Sequence, residues 1–258
     1  MSHAAEAHAA DPVLVIKDVA KSFGLIAVLD EINMTLAAGE RRAVIGPNGA
    51  GKSTLFNLVS GRFAVSRGSI SLNGRRIDGK PPHRLNRMGL SRSFQITQVF
   101  KGLSLYENVY LAVMSRHRRR WSIGRFGPVW ARVREEADRL LEQAQLMPQR
   151  DRIAGTLAYS EQRALEICMT VATGPSIILL DEPTAGMSRS ETANMVQFID
   201  RMTKDCTLLM VEHDMDVVFG LADTISVLAN GRILATGTPQ EIRNNSQVQD
   251  AYLSGSAH

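Results

Sequence analysis

The stretch GPNGAGKS, Gly46 to Ser53, follows the apolar run Ala43-Val44-Ile45 and leads into the helical pattern KSTLFNLVSG. No other feature constrains the fold as much. Glycines let successive N–H groups turn inward and approach a ligand where a Cβ would stand in the way. Such donors, together with the positive end of the following helix, form a cradle for phosphate. Gly46, Pro47, Asn48, Gly49, Ala50 and Gly51 make that cradle, and the spacing G-x-x-x-x-G-K-[ST] sets the rest. Lys52 bridges outer phosphates, the Ser53 hydroxyl is placed to ligate Mg²⁺, and Thr54 lies near an inner phosphate. A strand running into such a loop and a helix leaving it predict an α/β core.

A second stretch supports the same chemistry. IILLDEP, Ile177 to Pro183, is an apolar run followed by two acids. A buried strand ending in carboxylates suits metal-bound phosphate chemistry. Asp181 is expected to hold Mg²⁺, mostly through water, and Glu182 to polarise an attacking water as general base.

Around these stretches the pattern alternates. PVLVIKDVA and IAVLDEINMTL read as extended pieces, ERRAVIG as a strand, and GSISLNG as an edge strand. From about residue 84 to 173 the pattern is helical, with stripes in LSLYENVYLAVM and ARVREEADRLLEQAQLM. Then SIILLD and CTLLMVEH read as strands, SETANMVQFIDRM and MDVVFGLA as helices, and TISVLANGRILATG as a hairpin turning at Asn230-Gly231. No run approaches the ~20 apolar residues of a membrane span. The net charge of +4 is a weak argument for an anionic partner. Cys168 and Cys206 lack metal-ligand spacing and lie in apolar stretches, so buried structural thiols in a reducing compartment are expected.

GPNGAGKST, SFQ with Gln95, LAYSEQRALEI, LLDEPTAGM and VEHD with His213 stand in the order and spacing of an ABC-transporter ATPase subunit. The resemblance runs from about residue 12 to 253. Within that family the chain looks most like the larger ATPase of branched-chain amino-acid uptake systems. The L-x-Y signature followed by QRxLEI, the long segment between Gln95 and Leu157, EPTAGM, and the C-terminal GTPQEIRNN…VQDAYL carry that likeness. It implies a P-loop NTPase of ABC type: a RecA-like core with an antiparallel β subdomain and an inserted helical subdomain. The divisions implied are a tail at 1–10, a core at 11–90 and 174–245, a helical part at 91–173 with an insertion at 115–150, and a C-terminal segment at 246–253.

The resemblance also assigns roles. Gln95 would sense Mg²⁺ and the attacking water, His213 would contact the γ-phosphate of ATP, and Phe23 would stack on adenine. Ala158, Tyr159, Ser160 and Glu161 would face ATP held by a second ATPase subunit. Residues 96–106 would receive a helix of the membrane permease, and a periplasmic binding protein would act indirectly. The implied location is cytoplasmic, peripheral on the inner face of the cell membrane.

The signature departs from the family form leucine-serine-glycine-glycine-glutamine. Ala158 lacks a hydroxyl, Ser160 adds a side chain, and Glu161 adds a carboxylate beside a polyanion. One like-charge pair at ~5 Å and an effective dielectric of ~20 costs about 3 kcal/mol. Ser188, where relatives carry an acid or amide, is expected to weaken the contact across the pair. The basic run Arg116 to Arg120, near Trp121, Phe126 and Trp130, suggests a contact surface. Alternatives keep the ATPase but couple it to urea, amide or lipid transport, or make it a soluble ABC protein acting on nucleic acid. With one cassette and no coiled-coil arms, no nucleic-acid partner is expected.

Overall fold

The computed structural model describes residues 12–93, 98–117 and 128–254. The order along the chain is β1 (Pro12–Phe23), β2 (Ile26–Ala37), β3 (Arg41–Ile45), α1 (Lys52–Val59), β4 (Arg67–Leu72), β5 (Arg75–Arg76), α2 (Pro82–Arg87) and β6 (Leu90–Arg92). Helices α3 (Leu105–Arg116), α4 (Pro128–Gln143) and α5 (Tyr159–Ala172) follow. The chain closes with β7 (Ile177–Asp181), α6 (Arg189–Met202), β8 (Thr207–Val211), α7 (Met215–Leu221), β9 (Thr224–Ala229), β10 (Arg232–Gly237), α8 (Pro239–Arg243) and α9 (Ser246–Ser254). The expected tail at 1–10 lies outside the described residues.

One sheet has the order β10-β9-β3-β8-β7-β6, parallel except for β10, and the other is an antiparallel β2-β1-β4-β5 sheet. Successive side chains of a strand point to opposite faces, and a parallel sheet is covered on both. The strands obey this closely. Ala43, Ile45, Ile178, Leu180, Leu208, Met210, Ile225 and Val227 pack on the face covered by α3–α7. Val44, Ile177, Leu179, Leu209, Val211 and Leu228 pack on the other face, with α1 and the antiparallel sheet. Uninterrupted apolar runs such as IILL therefore mark a strand buried on both sides.

Local signals explain most boundaries. Helix α3 starts at a reciprocal cap, in which Ser104 Oγ accepts the Glu107 N–H and Glu107 Oε2 accepts the Ser104 N–H. The Asn230-Gly231 turn has φ of 47° and 74°, matching the tight hairpin expected there.

Two expectations are corrected. β4 is not an edge strand, because Ser71 and Leu72 pair with Arg76 and Arg75 across a second Asn-Gly turn at Asn73-Gly74. A two-residue partner is too short to leave an alternation in the sequence. Helix α4 ends at Gln143 rather than running through Met147. Gln145 takes φ 58°, its N–H donates to Glu142 O, and the Leu146 N–H donates to Leu141 O. That is a left-handed helix stop built on glutamine, where sequence alone would look for glycine.

Candidate functional site

Parallel strands deliver their carboxyl ends to one edge of the sheet, where ligands of such folds bind. The ends of β3, β8 and β7, adjacent in the sheet, carry the glycine loop, His213, and Asp181 with Glu182. Residues far apart in sequence thus meet because their strands are neighbours.

The loop's shape is enforced by its surroundings. Gly46 has φ 152°, and a Cβ there would stand 2.0 Å from Leu228 O. Gly51 has φ 104°, and a Cβ would meet Leu29 Cδ2 at 2.6 Å. At Gly49, φ 79°, the space is open. No side chain caps the start of α1, so its first N–H groups are left for a ligand. Lys52 Nζ folds back onto the loop, donating to Gly46 O at 2.6 Å and Pro47 O at 2.9 Å. Burial lowers the Lys52 pKa, and the Glu182 carboxylate opposes that shift. Ser53 is exposed and Thr54 half-buried on α1. From the far side, the half-buried phenol of Tyr252 on α9 hydrogen-bonds the Gly46 backbone. Burial raises its pKa and that bond lowers it.

Glu182 follows β7 with φ 43°, and its N–H donates to Val211 O at 2.9 Å. Its Oε1 lies 3.8 Å from His213 Nδ1. Residues not singled out from sequence hold this pair. Glu212 is fully buried, and its carboxylate accepts Thr184 Oγ1–H at 2.8 Å and the His213 N–H at 3.0 Å. It fixes the histidine backbone against the turn after Glu182. Arg163 on α5 is also buried; Nη1 donates to Glu166 Oε2 at 2.8 Å and Nη2 to Asp181 O at 3.0 Å. Arg92 donates through Nη2 to Asp181 Oδ2 at 2.6 Å. Burial lowers the Arg92 pKa, while Asp181 opposes that shift.

Ala158 to Glu161 head α5 in the helical lobe, apart from the glycine loop. Ser160 Oγ donates to Glu191 Oε1 at 3.0 Å. Glu161 Oε2 accepts the Ala158 N–H at 2.9 Å, and its Oε1 lies 3.4 Å from Arg152 Nη1. The carboxylate therefore has local partners that blunt the repulsion expected from sequence. Ser188 caps α6, its Oγ donating to Glu191 Oε2 at 2.7 Å, so the signature serine and the start of α6 share one carboxylate.

Phe23 is 43% exposed at the end of β1, edge-on to Phe63 at 5.3 Å, with Lys21 Nζ 4.7 Å from its ring centre. Gln95 lies outside the described residues, as do 96–97 of the segment 96–106. So do Arg118 to Arg120, Trp121 and Phe126 of the basic region. Arg116 and His117 at its start reach Glu136 on α4 at 2.7 and 3.1 Å. Cys168 is fully buried with its thiol pushed up to about 12, and burial also raises Cys206, in keeping with unreactive thiols.

Residues 29–185 match the family model "ABC transporter". The chain belongs to the ABC transporter family. Residues 232–253 of the cassette match the model "Branched-chain amino acid ATP-binding cassette transporter". The cassette is 37% identical to the high-affinity branched-chain amino acid transport ATP-binding protein LivG of Salmonella typhimurium, over 94% of this chain and 98% of that protein. It is 36% identical to BraF of Pseudomonas aeruginosa, over 94% and 98%. Among solved structures it superposes on MJ1267, an ATP-binding cassette of an ABC transporter in its ADP conformation. That match has a TM-score of 0.80 at 28% identity and covers 94% of this chain and 98% of that one. The α/β core expected from the glycine loop and the cassette fold implied by the family resemblance are thus the fold observed.

Proposed function

We propose that the cassette binds Mg–ATP at the ends of β3, β8 and β7 and hydrolyses it to power an importer of branched-chain or other hydrophobic amino acids. The convergence of Lys52, Asp181, Glu182 and His213 at one sheet edge carries the ATPase reading. The C-terminal match and the LivG and BraF likeness support the amino-acid reading.

The glycine loop and uncapped α1 bind the β-phosphate by N–H donation, and Lys52 leaves its loop carbonyls for the outer phosphates. Mg²⁺ in phosphate sites takes one or two protein groups and several waters. Ser53 and Asp181 would hold it, with Gln95 as a third contact, and it would supply charge against the β- and γ-oxygens. Glu182 accepts the proton of the attacking water, and His213, set by Glu212, orients that carboxylate and meets the γ-phosphate. Phe23 offers an exposed ring to the base.

Among the described residues no helix is long and apolar enough to cross a membrane. On this reading force passes to a membrane partner. A groove of about 590 Å³ between sheet and helical lobe is lined by Asn86, Arg92, Gln98, Phe100, Met114 and Thr173, with Phe100 55% exposed. It overlaps the segment 96–106 and suits a cytoplasmic permease helix. Ala158 to Glu161 would face ATP on a second cassette, and the permease contact would hold the chain at the inner face of the membrane. The tagged cassette, isolated from membranes, should carry permease subunits and a second ATPase. Hydrolysis by that assembly should rise with a binding protein loaded with leucine, isoleucine or valine. A rise only with another class of solute would overturn the amino-acid reading.

A further inference from the structure

Asp181 already has a cation. Its side chain is 10% exposed, and that of Arg92, bonded to it, 7%. Arg92 does not depend on Asp181 for its place. Nη1 donates to Asn57 Oδ1 at 2.9 Å, to Ser60 Oγ at 2.7 Å and to Phe56 O at 3.4 Å, all at the far end of α1. The guanidinium also lies 5.8 Å from the Phe56 ring centre. One nitrogen is therefore fastened to the helix that begins at the phosphate loop. The other holds the carboxylate that the proposed function gives to the metal.

A buried carboxylate is stabilised by one nearby positive charge, and a second must share or displace the first. We propose that Arg92 is a positioning residue that occupies Asp181 in the nucleotide-free cassette and competes with the metal of Mg–ATP for that carboxylate. Metal arrival then loosens a tie between β7, β6 and the end of α1. The same tie makes the metal contribute less to binding than an unopposed Asp181 would allow. By linkage, whatever Arg92 loses when the metal binds, the metal loses because Arg92 is present. The inference rests on Asp181 as the metal carboxylate.

The test compares affinity for ATP in EDTA with affinity for ATP in saturating Mg²⁺, read by calorimetry without turnover, in the native chain and in Arg92→Gln. The amide keeps a polar group beside α1 and removes the charge. The preference for Mg–ATP over free ATP should rise about tenfold in Arg92→Gln, with free-ATP affinity within about twofold of the wild type. If Arg92 only braces the fold, both affinities fall together and the ratio stays put, which overturns the inference. Arg92→Lys keeps a charge but cannot reach both anchors, so a smaller rise is expected, and that variant serves if Arg92→Gln does not fold. A wild-type chain with no Mg²⁺ preference would overturn the metal role of Asp181 as well. An unchanged ratio in both variants beside a clear wild-type preference overturns the Arg92 role alone.

Discussion

Glu182→Gln should lower ATP turnover by about 10²–10⁴-fold while leaving Mg–ATP binding within a few-fold of wild type. Glutamine keeps the shape and the reach to His213 but cannot take a proton. The geometry explains why the loss should fall on chemistry alone. Glu182 is outside the glycine loop, its N–H is fixed to Val211 O, and its carboxylate lies 3.8 Å from His213 Nδ1. The loop donors and the Lys52 bonds to Gly46 O and Pro47 O, proposed to hold phosphate, keep their geometry, and Lys52 loses only the charge of its Glu182 neighbour. Phosphate release by the assembled complex, beside nucleotide binding by calorimetry, separates the two effects. Turnover within about threefold of wild type would show that another group accepts the proton.

Arg163→Met should cost about 3–5 kcal/mol of stability. In a chain of this size that corresponds to a fall of roughly 10 °C in Tm. Arg163 is 1% exposed and joins the signature helix to the end of β7 through Asp181 O, while pairing with Glu166. Removing one member of a buried ion pair leaves the other carboxylate without its guanidinium. The double change Arg163→Met with Glu166→Leu removes both charges and should recover much of the loss. Calorimetric melting reads both. A single variant melting within about 2 °C of wild type would contradict this account of the lobe's attachment.

The sequence was most legible where a function or an element is written in consecutive residues. The glycine loop, the DE pair after IILL and the Asn230-Gly231 hairpin need only neighbours along the chain to be recognised. Burial of both sheet faces leaves an unbroken apolar run, so β7 and β8 were also plain. Legibility failed where the deciding contact is remote. Arg92 meets Asp181 from 89 residues away, and no local pattern separates it from the surface arginines around it. Glu212 acquires its meaning from Thr184, 28 residues distant. The Glu161 carboxylate, read as a repulsive charge, turns out to accept the N–H of Ala158. For Arg92 and Glu212 the residue type was visible but its partner was set by strand order, whereas the Glu161 contact is local, a third-position side chain bonding back to the N-cap backbone of α5. The short β5 and the glutamine stop of α4 were missed for a different reason: neither carries a residue pattern that favours it over loop.

Titrating Mg–ATP into the purified native chain, beside its Lys52→Ala variant, is the most direct measurement of whether this loop holds a nucleotide. Lys52 Nζ donates to Gly46 O and Pro47 O, bonds that the proposed function has it give up to phosphate. Saturable single-site heat from the native chain, weakened tenfold or more by the alanine, is the predicted result (about 1.4 kcal/mol or more of binding free energy). Absence of heat from the folded native chain, or equal affinity in the two proteins, would contradict it.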